Sequence, residues 1–271
     1  ENVAKFSLVS FADDISRRKQ VCLDFIDQLN SHYPIVLKPD YGERGNLVKI
    51  VKSEAELDEY LAGMDRDTVI QEYIEGVEFG VFYIRMPNQE NGFIFSITDK
   101  QFTSVTGDGK RNLEQLILDD DRAVCMAKRF LFIHRNHLKE IPAEGERIKL
   151  VEIGTHSKGA LFLDAIHLKT TELEAKIDEI SKRFNGFYFG RYDIRVPSIA
   201  DFQAGRNLKI VELNGVTSEA THIYDPKNSY RDAYTVLMQQ WRYAFEIAAV
   251  NRDNGLKPES FIKMLRLSLF H

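Results

Sequence analysis

Cysteine and long apolar runs are scarce in this chain of 271 residues. The two cysteines, Cys22 and Cys125, do not have the close spacing of a metal-binding pair. We predict buried free thiols rather than a disulfide, which is typical of a reducing cytoplasm. No apolar run approaches the length of a membrane span, and no secretory signal is visible at the start. These absences favour a cytoplasmic globular protein.

A basic excess is also absent. The chain has 36 basic and 41 acidic residues, which gives a net charge of −5. This balance argues against a general nucleic-acid binder, although a local basic pocket for a phosphorylated ligand remains compatible with it. Hydrophobic residues make up 44% and charged residues 28% of the chain, as in ordinary globular proteins. We therefore expect small-molecule partners, and neither nucleic acid nor a membrane.

Short strand patterns alternate with amphipathic helical patterns along the chain. Residues 78–86 and 92–98 predict one hairpin, and residues 190–214 predict another, whose strands are joined by a polar loop at 197–207. Helices are expected at residues 14–30, 53–63, 112–131, 171–184 and 228–250. Antiparallel hairpins with helices between them are typical of an α+β fold, in which helices back the sheets. We place a boundary near Gly76, with a ligand cleft between a small lobe and a larger one.

The second hairpin carries polar side chains that indicate a cation site. Because strand side chains alternate between faces, Arg191 and Asp193 share one face, and Glu212 and Asn214 share one face of the next strand. If the two faces coincide, two carboxylates and an amide converge beside a guanidinium. Such hard oxygen ligands suit Mg²⁺, and the arginine suits a phosphate. A solvated surface hairpin is the alternative interpretation.

Two further segments have the chemistry of a nucleotide site. Lys38 ends an apolar strand and precedes a glycine-containing loop at residues 40–45, where backbone amides are available to phosphate oxygens. The loop is not a Walker A motif, which requires Gly-Lys-Ser/Thr after its glycines. Residues 69–78 lead from a buried strand into a connector that ends in acidic residues. A surface turn and an interlobe linker are the alternatives.

Taken together and in this order, the segments resemble the ATP-grasp superfamily, especially D-alanine–D-alanine ligases, cyanophycin synthetases and glutathione synthetase-like carboxylate–amine ligases. The resemblance rests on "PIVLKP", "VIQEYIEGVEF", "SVTGDGKRNLEQLI" and "GRYDIRV" followed by "VELNG". It extends over about residues 34–225. It implies two α+β lobes that grip ATP between antiparallel sheets, with residues 34–76 as the small lobe and 77–250 as the large lobe. Residues 1–33 then form a separate segment, expected to be the remnant of a preceding domain, and residues 251–271 form a tail.

The resemblance also implies roles for individual residues. Arg191 would be catalytic, on the transferred phosphate, and Mg²⁺ or Mn²⁺ would bind Asp193, Glu212 and Asn214. The implied ATP-binding residues are Lys38, Gln71, Glu72, Ile74, Glu78 and Lys100. The chain departs from the family pattern after Asn214 and around residues 152–160, which should border the acceptor pocket. The expected substrate contacts there are His156, Ser157, Lys158, Thr221 and His222.

The implied activity is an ADP-forming ligase that joins a carboxylate to an amine or thiol through an acyl phosphate. Three alternatives remain open: an ATP-grasp kinase, a nucleotide-binding subunit without catalysis, and a scaffold without a nucleotide site. The expected partners are a small-molecule carboxylate and an amine or thiol, and a homodimer is left open as an assembly.

Overall fold

The computed structural model describes residues 1–29, 33–42, 45–152 and 154–269. The strands in these ranges are β1 (Phe6–Val9), β2 (Ile35–Pro39), β3 (Lys49–Val51), β4 (Thr68–Glu72), β5 (Val77–Ile84), β6 (Phe93–Gln101), β7 (Ser104–Thr106), β8 (Arg147–Lys149), β9 (Leu161–Asp164), β10 (Phe189–Val196) and β11 (Lys209–Asn214). The α-helices are α1 (Ile15–Gln28), α2 (Glu54–Ala62), α3 (Leu113–Asp119), α4 (Ala127–Ile133), α5 (Thr171–Lys182), α6 (Ile199–Gln203), α7 (Tyr230–Asp253) and α8 (Phe261–Leu269).

The first sheet has four antiparallel strands in the order β1-β4-β2-β3. Helix α1 begins at Asp14, whose side chain accepts a hydrogen bond from the Arg17 amide, and its apolar stripe packs on this sheet together with α2. Strand β1 and helix α1 therefore share a sheet and a core with residues that follow position 33. The separate segment predicted for residues 1–33 does not coincide with a break in the packing.

The second sheet has five antiparallel strands in the order β11-β10-β5-β6-β9. Gly76 lies between β4 of the first sheet and β5 of the second. One face of the second sheet packs on α5, whose buried residues Leu173 and Ile177 lie in the same apolar cluster as Tyr83 and Ile194. This cluster is the main core of the chain.

The opposite face of the second sheet is divided along its length. Residues of β5 that point to this face alternate as Glu78, Gly80, Phe82 and Ile84. Phe82 and Ile84 are covered by α7, which contributes Ile247 to their cluster. Glu78 borders the cleft between the two sheets instead. The sheet therefore has an apolar end under α7 and a polar end at the cleft.

Several sequence predictions differ from the structure. The single helix predicted at 112–131 is two short helices, because Asp120 adopts an extended conformation after α3. The connection at 197–207 between β10 and β11 holds α6, and the expected tail at 251–271 holds α8. Both cysteines are free, but Cys125 is exposed, so the prediction that both are buried was wrong for it. Among the described residues, no helix is long and apolar enough to cross a bilayer.

Candidate functional site

The polar end of the second sheet is built from rows of cross-strand partners. In antiparallel sheets, partners point to the same face, and residues two apart on a strand point there as well. The register gives a first row of Lys100, Glu78 and Arg195; a second row of Thr98, Gly80, Asp193 and Glu212; and a third row that includes Arg191 and Asn214. The two polar faces of the β10–β11 hairpin thus coincide, and the four predicted residues lie side by side.

The first row is a closed ion cluster. The Glu78 carboxylate lies 3.1 Å from the Lys100 Nζ and accepts a hydrogen bond of 2.9 Å from the Arg195 Nε. All three residues are buried. Burial alone would lower the pKa of Lys100, but the carboxylates of Asp193 and Glu78 outweigh it and raise that pKa. Arg195 of β10 also donates to the Ile74 carbonyl at 2.8 Å. This hydrogen bond ties β10 to the connector that precedes β5.

The second row is joined to the first through Lys100, whose Nζ lies 2.8 Å from Asp193. The Arg191 Nε donates to the other Asp193 oxygen at 3.1 Å. Burial would raise the pKa of Asp193, but these two cations outweigh it and hold the pKa below its usual value. Gly80 leaves room for this contact, because a Cβ there would lie 3.3 Å from the Arg191 Cδ. Asp193 is therefore ionised and fixed in place.

Glu212 ends the second row without a hydrogen-bonding or ion-pair partner among the residues that the structure describes. The walls of the cleft and the charge of Asp193 raise the pKa of Glu212, although its side chain keeps contact with solvent. A cation bound beside Glu212 would offset the repulsion between its carboxylate and that of Asp193.

Lys38 reaches this face from the first sheet. Its Nζ donates to the Gln71 Oε1 at 3.2 Å and to the Val211 carbonyl of β11 at 3.0 Å. Burial lowers the pKa of Lys38, although the charges of Glu212 and Asp193 oppose the shift. The cleft between the two sheets has a volume of about 710 Å³, and residues of both sheets line it.

The donor set of the second and third rows fits a hard cation. Asp193, Glu212 and Asn214 supply two carboxylates and an amide, and the Asn214 Nδ2 lies 3.5 Å from Asp193. In the described part of the chain, no cluster of three or more His, Cys, Asp or Glu residues could hold a metal by itself. The usual Mg²⁺ site takes one or two carboxylates and completes its shell with water and substrate phosphates, and Asp193 and Glu212 supply that number of carboxylates.

The residues expected near the nucleotide all line the cleft, but most are already engaged. The Gln71 Nε2 donates to the Val211 carbonyl at 3.2 Å, and Glu72 accepts from the Lys5 amide at 2.8 Å and the Lys209 Nζ at 3.2 Å. The Ile74 carbonyl and the Glu78 carboxylate are held by Arg195. Residues 43–44 of the expected glycine loop lie outside the described residues.

The residues expected at the acceptor side divide into two groups. His156, Ser157 and Thr221 line the cleft, whereas Lys158 and His222 do not. Lys158 instead donates to the Gly45 carbonyl, and the His222 Nδ1 is buried without a partner among the described residues. His222 follows Thr221 in a 3₁₀ turn, where only residues three apart share a side. The geometry therefore does not support substrate contacts for Lys158 and His222.

Sequence reasoning assigned no site role to two residues that shape the cleft. Arg195 holds Glu78, and Tyr224 stacks on His156 with ring centroids 5.0 Å apart. Burial, with the nearby charge of Arg122, lowers the pKa of His156, so its ring is neutral at pH 7. The alternation of Arg191, Asp193 and Arg195 along one strand was the available signal for Arg195. The 3₁₀ spacing of Thr221 and Tyr224 becomes visible only in the structure.

Comparison with known proteins supports the same fold. Residues 4–86 match the RimK-like ATP-grasp domain. No curated protein sequence matches the chain significantly.

Among solved structures, the chain is similar to D-alanine–D-alanine ligase from Bacillus anthracis complexed with ATP, with 15% identity and a TM-score of 0.49 over 93% of this chain and 63% of that one. It is also similar to a bifunctional glutathione synthetase from Pasteurella multocida, with 14% identity and a TM-score of 0.46 over 89% of this chain and 34% of that one. The chain thus spans less than two thirds of either protein. Residues 4–86 are thus similar to an ATP-grasp domain, and the two antiparallel sheets backed by helices confirm the predicted α+β class.

Proposed function

We propose that the chain is an ATP-dependent, ADP-forming ligase that joins a small-molecule carboxylate to an amine or a thiol. The observation that carries this proposal is the pairing of Asp193 with Glu212 beside Arg191, opposite a lysine from the other sheet. Cation ligands and phosphate-binding cations then face one cleft. The two free thiols support a cytoplasmic location.

The charges of the cleft suit a polyphosphate. Four cationic side chains, those of Lys38, Lys100, Arg191 and Arg195, line the cleft together with seven acidic residues. A nucleotide would therefore be bound by local contacts between these cations and its phosphates, and a divalent cation would offset the acidic excess. The match of residues 4–86 to an ATP-grasp domain supports ATP as that nucleotide.

The proposed reaction has two steps. A substrate carboxylate oxygen attacks the γ-phosphorus of ATP, ADP leaves, and an acyl phosphate forms. The amine or thiol then attacks the acyl carbon, releases inorganic phosphate and gives up a proton. Phosphoryl transfer depends mainly on positioning and charge neutralisation, so the residues need to orient the reactants rather than react with them.

The charged residues of the site have different tasks in this scheme. Lys38 and Lys100 hold the phosphates between the two sheets. Arg191, fixed by Asp193 and by its hydrogen bond of 2.9 Å to the Glu219 carbonyl, meets the charge on the phosphate in transfer. Mg²⁺ or Mn²⁺, held by Asp193, Glu212 and Asn214, would neutralise phosphate charge when bound.

The decisive experiment is an assay of ADP release with a panel of amino acids, short peptides and amines. We expect turnover with at least one acid and amine pair, and at least about a hundredfold loss in Arg191→Ala and Asp193→Asn, since one preorganised group contributes on the order of 3 kcal/mol to the transition state. Glu75→Gln, at an exposed position outside the cleft, is the matched control. Near-normal turnover in both site variants would contradict the assignment of Arg191 and Asp193 to the active site.

Product analysis separates the ligase from a kinase built on the same site. A ligase releases inorganic phosphate together with a new amide or thioester, whereas a kinase leaves the phosphate on a substrate hydroxyl. Tight binding of Mg·ATP without turnover under any acceptor would instead identify a nucleotide-binding subunit.

A further inference from the structure

The outer face of α7 carries an exposed aromatic stripe that the proposed reaction does not use. Its members are Tyr230, Tyr234, Met238, Trp241 and Phe245, which are 89%, 64%, 72%, 46% and 74% exposed. Their spacing of three or four residues places them along one side of the helix.

The stripe is held outward by the buried face of the same helix. Ile247 packs into the apolar cluster on the second sheet, and Tyr243 packs against Phe93 and Phe95. The Gln240 side chain bonds to the Ala220 amide at 2.8 Å and to the Ser218 carbonyl at 2.9 Å. Since α7 is fixed by these contacts, its aromatic stripe cannot turn inward without breaking them.

The exposed area is large for a surface without a partner. Aromatic side chains bury about 150–250 Å² each, so five large side chains at these exposures offer on the order of 700 Å². The largest apolar patch on a typical monomer is about 300–600 Å². One partner in a standard stable interface contributes about 800 Å². The stripe therefore has the size of one half of an interface.

The order of residues in the stripe is symmetric about the midpoint between Leu237 and Met238. Position 230 mirrors 245, and position 234 mirrors 241. If a second α7 lies antiparallel across the first, Tyr230 meets the second copy's Phe245, and Tyr234 meets the second copy's Trp241. Both pairs are aromatic, and they form twice, as a two-fold interface requires.

The charges beside the stripe agree with this arrangement. Arg231 and Glu246 lie on the same flank of the stripe, and the position that mirrors Glu246 is two residues from Arg231. Glu246 already pairs with Arg242 of its own helix at 2.8 Å. Two residues correspond to about 3 Å along a helix axis, so Arg231 of the second copy comes within reach of this exposed pair. The five residues of the stripe carry no charge, and the charged residues of the same segment, Arg231, Asp232 and Arg242, are not members of it.

We propose that this chain forms a two-fold dimer in which the aromatic stripes of two antiparallel α7 helices pack on each other. The interface covers the apolar side of α7 and leaves the cleft of each copy open, because α7 packs on the apolar end of the sheet face. The proposal is independent of the reaction catalysed at the cleft.

The first test is the mass of the full chain in solution by sedimentation velocity over a dilution series. Trp241 is the only tryptophan of the chain, so its fluorescence reports on the interface directly. We expect a dimer whose emission shifts to longer wavelength as it dissociates. A chain that stays monomeric at concentrations up to roughly 100 µM would overturn the proposal, because the dissociation constant of the dimer would then lie above that concentration.

A charge at the centre of the stripe tests the interface itself. Met238→Glu places two carboxylates beside the two-fold axis, and we expect at least about a tenfold weaker dimer, because like charges in an interface cost several kcal/mol. Gln239→Glu adds the same charge on a neighbouring exposed position outside the stripe and should leave the dimer intact. A dimer that Met238→Glu does not weaken would refute this interface.

Mixing complementary variants identifies the occupant as a second copy. Met238→Glu and Met238→Lys should each be monomeric and should form a heterodimer when mixed, which no unrelated partner would produce. Met238→Lys also serves as the second variant if Met238→Glu does not fold. Helix α8 exposes its own apolar residues, among them Ile262 at 64%. If Ile262→Glu abolishes the dimer while Met238→Glu preserves it, α8 forms the contact and the α7 interface is wrong.

Discussion

Two neighbouring rows of one sheet face have opposite electrostatic character. In the first row, the Glu78 carboxylate is buried and both of its oxygens are bonded, by Lys100 and Arg195. In the second row, Asp193 is similarly bonded, but Glu212 beside it has no bonded side-chain partner within the described ranges. Lys100 links the two rows, so one lysine neutralises both Glu78 and Asp193.

The difference indicates which carboxylate serves the fold and which awaits a ligand. A buried carboxylate with two cationic partners stabilises the arrangement that it completes, and its removal leaves those cations unpaired. A carboxylate that faces a like charge without a partner costs stability until a cation arrives. We infer that Glu78 positions Lys100 and Arg195, and that Glu212 is the open end of the site.

The largest expected effect follows from removing the closed carboxylate. In Glu78→Ala, Lys100 keeps Asp193 as its ion-pair partner, and Arg195 loses its carboxylate partner but keeps its hydrogen bond to the Ile74 carbonyl. We expect a loss of about 3–5 kcal/mol in the free energy of unfolding, measured by urea denaturation. Glu75→Ala, at an exposed position three residues earlier, should cost less than about 0.5 kcal/mol. A similarly small loss of unfolding free energy in Glu78→Ala would show that Glu78 does not stabilise the fold.

The second effect separates activity from stability in the open row. Glu212→Gln keeps the shape of the side chain and removes the repulsion from Asp193, so the unfolding midpoint without metal should stay the same or rise. Nucleotide turnover should nevertheless fall by about a hundredfold, since one charged group of the site is lost. The thermal shift that Mg·ATP causes in the unaltered chain should shrink in the variant. A variant with lower stability and normal turnover would reverse the roles of the two rows.

The third effect concerns the lysine that crosses from the first sheet. Lys38→Met keeps the length of the side chain and the Gln71 contact with the Val211 carbonyl, but removes a charge from the cleft. We expect about tenfold weaker binding of ATP by calorimetry, because a charge-assisted hydrogen bond to phosphate is lost. Lys5→Met removes an exposed lysine just before β1 of the same sheet and should bind ATP normally. Equal affinities of the two variants for ATP would show that Lys38 does not bind the nucleotide.

Much of this site could be predicted because its signals are local. Period-two alternation placed Arg191 and Asp193 on one face, and the short polar loop indicated that Glu212 lies on the next strand. The register that sets Asp193 opposite Glu212 depends on a bulge between Asp193 and Ile194, which the sequence does not reveal. Alternation alone left the surface hairpin as an alternative.

The role of Glu78 could not be predicted, because its partner Arg195 lies 117 residues away along the chain. The resemblance implied a contact between Glu78 and ATP, and no local pattern shows that both carboxylate oxygens are bonded within the protein. The helices α1 and α5 were found from their apolar stripes, whereas α6 and β9 are too short to show a period. Helix α7 was found as well, but it has apolar residues on two sides, so the pattern did not tell which side is buried.

The smallest effect uses a closed carboxylate outside the cleft as the reference for Glu78. The Asp178 Oδ1 accepts hydrogen bonds from the Tyr83 hydroxyl at 2.6 Å and the Gly92 amide at 2.7 Å, and its Oδ2 lies 2.6 Å from the Lys182 Nζ. Burial would raise the pKa of Asp178, but these bonds outweigh it and leave the pKa below its usual value.

Because the folded pKa of Asp178 lies below the unfolded value of about 3.9, the carboxylate stabilises the fold above that pH and loses this contribution as the pH falls through the folded pKa. Asp178→Asn keeps an acceptor but loses the ion pair, and we expect a loss of about 1 kcal/mol at pH 7 in urea denaturation. The difference between the variant and the unaltered chain should narrow below about pH 4, where the carboxylate begins to take up a proton. A difference that is constant from pH 7 to pH 3 would mean that the packing of the side chain, rather than its charge, carries the effect, and the same comparison would then have to be repeated for Glu78.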